Sequence, residues 1–205
     1  MATKASAKAI NPDQLPAWQL ATRQRIIKAA SKALNKQPYD QIQVRDIAKS
    51  ADVALATLYR YFGSKEHLYA VTLTEWTEPV FGRSHSSSDL GAEARVRSKV
   101  HLVAAAFEKT PHFFTMVYAL QGSQEPTVQK LIEEWSETGR QWTVSDLAVL
   151  GEERARDLAQ MLWAITSTLL TRALHNGTSF EAARRVADAF IDLIADELHQ
   201  AEHSG

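Results

Sequence analysis

Cysteine is missing from all 205 residues, which excludes disulfides, thiol nucleophiles and cysteine-ligated zinc. No apolar run approaches the roughly 18 to 20 residues needed to span a bilayer, and Met1 to Ile10 lacks the apolar core of a secretory signal. The chain is therefore expected to be soluble, to stay where it is made and to have no membrane partner. Strand-like alternation and internal repeats are also missing. So are the convergent polar groups of an enzyme: Ser84, His85 and Asp89 share one loop, and His199 and His203, four apart, have no third ligand. No catalytic residue, metal site or cofactor is expected.

What is present suits a folded core. Hydrophobic residues make up 45% and charged ones 23%, enough for one large domain or two modest ones. The net charge of −1 conceals an asymmetry, because residues 1–70 carry +6 and residues 71–205 carry −7. A basic first third is the electrostatic footprint of a module that docks on phosphates, which the acidic remainder would repel.

Residues 1–17, small, polar and interrupted by Pro12 and Pro16, read as a disordered arm with Lys4 and Lys8 as its basic residues. From about Gln19 to Lys36, Leu20, Ile27, Ala30 and Leu34 fall on one helical face, and Pro38 ends the pattern. Val44, Ile47, Ala48 and Ala51 repeat at i, i+3, i+4, i+7, the mark of a short amphipathic helix over Val44 to Ser50. Asp52 then stands where a left-handed turn residue is needed, and Val53 is placed to plug the corner. A third helix, about Ala54 to Tyr61, is expected to bury Leu58 and Phe62 and to leave Thr57, Arg60 and Tyr61 more exposed. Ser64 caps a fourth helix that buries Leu68, Val71, Leu73 and Trp76.

After a serine-rich loop at Phe81 to Gly91, helices are expected at about Ala92 to Lys109, Pro111 to Gln121, Pro126 to Trp142, Glu152 to His175 and Phe180 to Ala201. The fold class is all-α, with about nine helices.

The stretch Ile42 to Leu68, IQVRDIAKSADVALATLYRYFGSKEHL, resembles the DNA-binding domain of the TetR family, with LYRYF at 58–62 and SKEHL at 64–68 at the family's separation. It departs from the family at Ala54, where Ser often caps the third helix, and at Asp52 and Ala56, where Gly is frequent. The missing cap is expected to cost about 1 kcal/mol locally. The resemblance implies a helix-turn-helix domain over 18–66 and a ligand-binding and dimerisation domain over 67–205. It implies a bacterial, cytoplasmic, nucleoid-associated regulator whose homodimer binds a double-stranded, pseudo-palindromic DNA operator and is released by a small-molecule effector. A ligand-independent regulator or adaptor retaining only the DNA-binding head is the alternative.

The residues carried over for DNA are Gln43, Arg45, Leu55, Ala56, Thr57, Tyr59, Arg60, Tyr61, Ser64 and Lys65. Arg45 has the guanidinium that binds guanine O6 and N7 bidentately, and Leu55, Ala56 and Thr57 offer small groups suited to thymine methyls. Tyr59, Tyr61 and Lys65 match phosphate-contacting positions, with Arg60 projecting from the same helix, and Gln43 sits where a hydroxyl residue often meets a phosphate.

Beyond the head, Trp76, Phe107, Phe114, Tyr118, Trp142, Met161 and Trp163 are the candidate effector-contacting residues within a domain rich in aromatics. Helices at about 152–175 and 180–201 are apolar on more than one side, through Leu158, Leu162, Ile165 and Leu169, through Trp163, Leu170 and Leu174, and through Val186, Phe190, Leu193, Ile194 and Leu198. Such helices have two things to pack against, here the domain interior and a second subunit. The segment Ala155 to Leu193 resembles the KstR-like repressors of steroid and lipid catabolism.

Overall fold

The computed structural model describes residues 15–82, 90–175 and 177–204. Positions 1–14 of the expected arm, with Lys4 and Lys8, and positions 83–89 of the serine-rich loop, with Ser84, His85 and Asp89, lie outside the described residues. The described residues form nine α-helices and no strand: α1 (Ala17–Leu34), α2 (Val44–Ser50), α3 (Leu55–Tyr61), α4 (Lys65–Gly82), α5 (Ala92–Lys109), α6 (Pro111–Gln121), α7 (Pro126–Leu147), α8 (Glu152–His175) and α9 (Phe180–Ser204). Short 3-10 turns lie at Tyr39–Gln41 and Ala148–Leu150. None of the described helices is long and apolar enough to cross a membrane.

The contacts divide the chain into two compact units. The first holds the described residues up to Trp76 together with Thr115–Ile132; the second holds Thr77–Phe114 and everything described from Glu133 onward. Helices α4, α6 and α7 contribute residues to both.

In the first unit α1 buries Ile26, Ile27, Ala30 and Leu34. Leu20 is exposed, contrary to its place in the expected apolar face, because Ile26 takes the inward register one turn before Ala30. Ile42, Ile47, Ala48, Leu58, Phe62, Leu68 and Tyr69 are also buried here. The Tyr69 hydroxyl donates to the Ala30 carbonyl at 3.2 Å.

The core of the second unit joins α5, the end of α7, α8 and α9 through Val96, Val100, Leu147, Leu158, Leu162, Ile191, Ile194 and Leu198. Helix α7 outruns its expected end at Trp142 because Leu147, five residues on, is fully buried, and the chain turns only at Gly151, whose φ of 86° suits glycine. Helix α9 likewise continues past Ala201. There Glu202 accepts a hydrogen bond from the Ala92 N–H at 2.7 Å, satisfying a first-turn donor of α5 that its own N-cap, Gly91, cannot reach.

Candidate nucleic-acid interface

The helix-turn-helix is built by one turn. Helix α2 ends at Ala51, after which Asp52 adopts a left-handed φ of 53°. The Asp52 N–H donates to the Lys49 carbonyl at 3.2 Å and the Val53 N–H to the Ala48 carbonyl at 3.0 Å. These two bonds are the Schellman closure of a helix C-terminus, which requires a residue that tolerates the left-handed region. Asp52 is the only non-glycine with positive φ among the described residues. Half-buried Val53 follows, then Ala54, extended at φ −66° and ψ 145°, which opens α3 without a side-chain cap.

Seven residues make up α3, and they divide cleanly. Leu58 and Tyr61 are buried, Leu55, Ala56, Tyr59 and Arg60 are exposed, and Thr57 is half-buried. Tyr61 corrects the expectation: it is only 3% exposed, and its hydroxyl is buried without a hydrogen-bond partner. The reason is spacing, since Tyr61 stands three residues after Leu58 and shares its inward face. The Arg60 guanidinium lies 5.5 Å from the Tyr61 ring centroid, covering it from outside. At the start of α2, Gln43 and Arg45 are exposed, and Arg45 makes no hydrogen bond or ion pair among the described residues.

Helix α4 opens as expected on Ser64, whose Oγ accepts the His67 N–H at 2.9 Å. The same hydroxyl donates to the Glu125 carboxylate at 2.5 Å, and the Ser123 hydroxyl donates to Glu66, so the turn before α7 is bonded to the first turn of α4. Lys65 donates to the Tyr39 carbonyl at 2.6 Å and lies 4.3 Å from the Tyr39 ring centroid. Burial lowers the Lys65 ammonium from its ordinary pKa, partly countered by Asp40. The Tyr39 phenol is pushed up to about 12 by burial and by the carboxylates of Glu66 and Glu125. An ammonium has three donors, so Lys65 keeps others to offer outward. Burial also lowers the pKa of His67, whose Nδ1 accepts the Gly63 N–H at 3.2 Å. Tyr39, Glu125 and Ser123 were not foreseen from sequence. Only the motif residues 64–68 carried a local signal, while their partners lie 26 to 61 positions away.

The candidate effector residues separate. Trp76 and Tyr118 belong to the first unit, where Trp76 lines a surface cleft with Gln24, Ile27 and Thr72 and Tyr118 is exposed. In the second unit Phe107 and Phe114 stack edge-to-face at 5.0 Å, and Met161 is 48% exposed. Trp142 and Trp163 come together on one small cavity, which is lined also by Lys99, Val100, Leu162 and Thr166. The Trp163 ring packs edge-to-face on Trp135 at 5.8 Å. Lys99 was missed from sequence, although its register with Val96, Val100 and Val103 put a lysine on an apolar face.

Residues 26–71 match the model of the bacterial regulatory proteins of the tetR family, the stretch that builds α2, α3 and the turn between them. The chain is 32% identical over 124 residues to the HTH-type transcriptional repressor KstR of Mycobacterium tuberculosis, covering 56% of each protein. It is also 32% identical over 93 residues to KstR of Rhodococcus jostii, covering 45% of this chain and 44% of that one. The chain thus spans about half the length of these curated relatives.

Among solved structures, a TetR transcriptional regulator from a Rhodococcus species superposes with a TM-score of 0.74 at 20% identity, over 86% of this chain and 97% of that one. The regulator FadR of Bacillus subtilis, in complex with stearoyl-CoA, superposes at 0.66 and 18% identity, over 83% and 96%. These likenesses show the fold, a helix-turn-helix head continued by a helical domain. With the matched motif, the closed turn at Asp52 and the fold in agreement, residues 26–71 of the chain form a DNA-binding domain of the tetR-family type.

Proposed function

We propose that this protein is a homodimeric transcriptional repressor that binds a pseudo-palindromic operator and is released by a small apolar or amphipathic ligand. The observation that carries the DNA-binding reading is the division of α3. Leu58 and Tyr61 anchor it inward while Leu55, Ala56, Tyr59 and Arg60 remain exposed, behind a turn that presents the helix N-terminus. In helix-turn-helix docking the N-terminal residues of this helix meet base edges, so Leu55, Ala56 and Thr57 are the base-reading group, joined by Arg45. Gln43, Tyr59, Arg60, Ser64 and Lys65 are the phosphate-positioning group. Tyr61 joins it only if its buried hydroxyl is uncovered on binding.

The dimer reading rests on α8 and α9. Leu193 is 84% exposed, and Val186 and Met161 are exposed with it on the two helices. Large apolar groups left on a packed helix pair fit a second copy of the same pair across a two-fold axis. Two heads related by that axis require two half-sites, which makes the operator a pseudo-palindrome.

Release by ligand is supported by the chain's continuity. Helix α4 begins with the capping Ser64 and ends among residues of the second unit, so a ligand that shifts its later turns changes the separation of the two α3 helices. A hundredfold loss of DNA affinity requires about 2.7 kcal/mol of coupling, and operator must weaken ligand binding by the same factor. Titrating whatever small molecule co-purifies, with and without operator, tests this in a calorimeter. Equal affinities reject release by ligand and favour the ligand-independent regulator, while leaving DNA binding in place.

A further inference from the structure

The cavity between α5, α7 and α8 has an unusual lining. Its walls are the indoles of Trp142 and Trp163 with Val100, Val103 and Leu162, yet three polar side chains open onto it: Lys99, Thr166 and Thr143, whose hydroxyl donates to the Gly139 carbonyl at 3.4 Å. Lys99 is 5% exposed. Its Nζ lies 2.7 Å from Asp146 Oδ2 and 4.8 Å from the Trp142 ring centroid, and it also donates to the Trp142 carbonyl and, at 3.5 Å, to the Ser145 hydroxyl, the weakest contact and the one a ligand oxygen would replace. Arg95 Nε lies 3.0 Å from the other Asp146 oxygen. Two cations therefore share one carboxylate, leaving a charge of +1 in a mostly buried cluster. Burial lowers the Lys99 pKa, with Asp146 opposing the shift and Arg95 adding to it.

Thr166 supplies the second, independent observation: it is 9% exposed, and its hydroxyl is buried with no hydrogen-bond partner. Burying an unpaired hydroxyl costs free energy that a valine in the same space would not. The cavity is small, about 30 Å³, room for a group the size of a carboxylate, and anything attached to that group must displace the lining. Gly139 completes the arrangement. A Cβ there would stand 3.1 Å from the Trp163 ring, so the missing side chain is what lets that indole lie against α7 beside the cavity.

We propose that this cavity takes the carboxylate of an apolar monocarboxylic acid, its oxygens on Lys99 Nζ and Thr166 Oγ1 and its hydrocarbon body displacing the Trp142 and Trp163 indoles. The carboxylate balances the second cation, and the Thr166 hydroxyl gains an acceptor. This rests on the reading of Trp142 and Trp163 as effector-contacting residues and adds the chemical class of the effector.

The test uses the full chain and two probes of equal chain length, decanoate and 1-decanol, followed by tryptophan fluorescence, with Trp142→Phe and Trp163→Phe to assign the signal. Decanoate should bind at least about tenfold more tightly than decanol. Thr166→Val should weaken decanoate about fivefold and leave decanol unchanged, and Lys99→Met should abolish the preference. Thr166→Val keeps shape and removes an unpaired hydroxyl, so it remains informative if Lys99→Met fails to fold. Equal affinities for acid and alcohol, or Thr166→Val binding decanoate as the parent does, overturn the carboxylate assignment while leaving an apolar effector site standing. No signal from either probe overturns both.

Discussion

Lys65 and Arg45 are both basic, both assigned to DNA, and held in opposite ways, so they offer a sharp test of how the head works. Lys65 is committed within the fold, with its ammonium 2.6 Å from the Tyr39 carbonyl and 4.3 Å from that ring centroid. A charge-assisted hydrogen bond contributes about 1.5 to 3 kcal/mol when fully buried, and a cation–π contact about 0.5 to 1 when exposed. Lys65 is only half-buried, so Lys65→Gln should lower unfolding stability by about 1 to 2 kcal/mol. Arg45 has no such partner among the described residues, and Arg45→Ala should change stability by less than about 0.5 kcal/mol.

On DNA the order reverses in kind. If Lys65 meets one phosphate, its loss should reduce the slope of log affinity against log salt by about 0.9 and weaken all sequences alike. If Arg45 reads a guanine, its loss should cost about 1 to 3 kcal/mol at one base position and leave other positions unchanged. Fluorescence anisotropy on duplexes selected from a random pool, repeated across salt and across single base changes, measures both quantities. Denaturant unfolding of the same variants supplies the stability arm. Identical base-preference profiles for the two variants would refute the division into positioning and reading residues, and an unchanged stability for Lys65→Gln would refute its structural role.

Other outcomes follow from the same geometry. Asp52→Gly should raise stability by about 0.5 to 1 kcal/mol in thermal or denaturant unfolding, because φ of 53° strains any side chain there, and a loss would mean that the carboxylate has an unrecognised role. The pKa of His67 is lowered in the fold, so below its unfolded value, near 6.5, the unfolded chain takes up the proton first and stability falls as the pH drops. His67→Gln should flatten that acid limb, and an unchanged pH dependence would exclude His67 as its source. Leu193→Glu should shift the sedimentation profile from dimer to monomer with secondary structure intact, whereas a variant that stays dimeric would place the interface elsewhere.

The head was legible because its determinants are local. The apolar repeat of α2, the left-handed residue after it and the cap of α4 all act within a few positions of one another, so spacing alone located them. Tyr61 was misplaced for want of the same rule, since its three-residue offset from Leu58 already put it inward. The longer helices were legible in extent but not in facing. On α9 the buried line runs through Ala183, Ala187, Ile191, Ile194 and Leu198, while Val186 and Leu193 turn outward. Both lines are apolar, and hydrophobic periodicity cannot tell an interior from a surface covered by a second copy.

The cavity of the second unit was illegible for a different reason, and two anomalies in the sequence show what the signal looked like. Lys99, Trp142 and Trp163 come from three helices and meet only through tertiary packing, so no local spacing joins them. Each helix nevertheless carries a choice that is poor on its own terms. A lysine in the apolar register of α5 must be desolvated, which costs several kcal/mol unless it is paired. A glycine in the middle of α7 costs roughly 0.5 to 1 kcal/mol against alanine. Neither choice helps its own helix, and the structure places both beside Trp163, with Gly139 against the ring and Lys99 on the cavity it lines. The buried, unpartnered hydroxyl of Thr166, one turn after Leu162 on α8, adds a third local cost at the same place. Three residues that are poor choices on their own helices thus converge on one cavity, the lysine offset there by Asp146 and the Thr166 hydroxyl by no partner among the described residues, in a core that otherwise follows the packing rules.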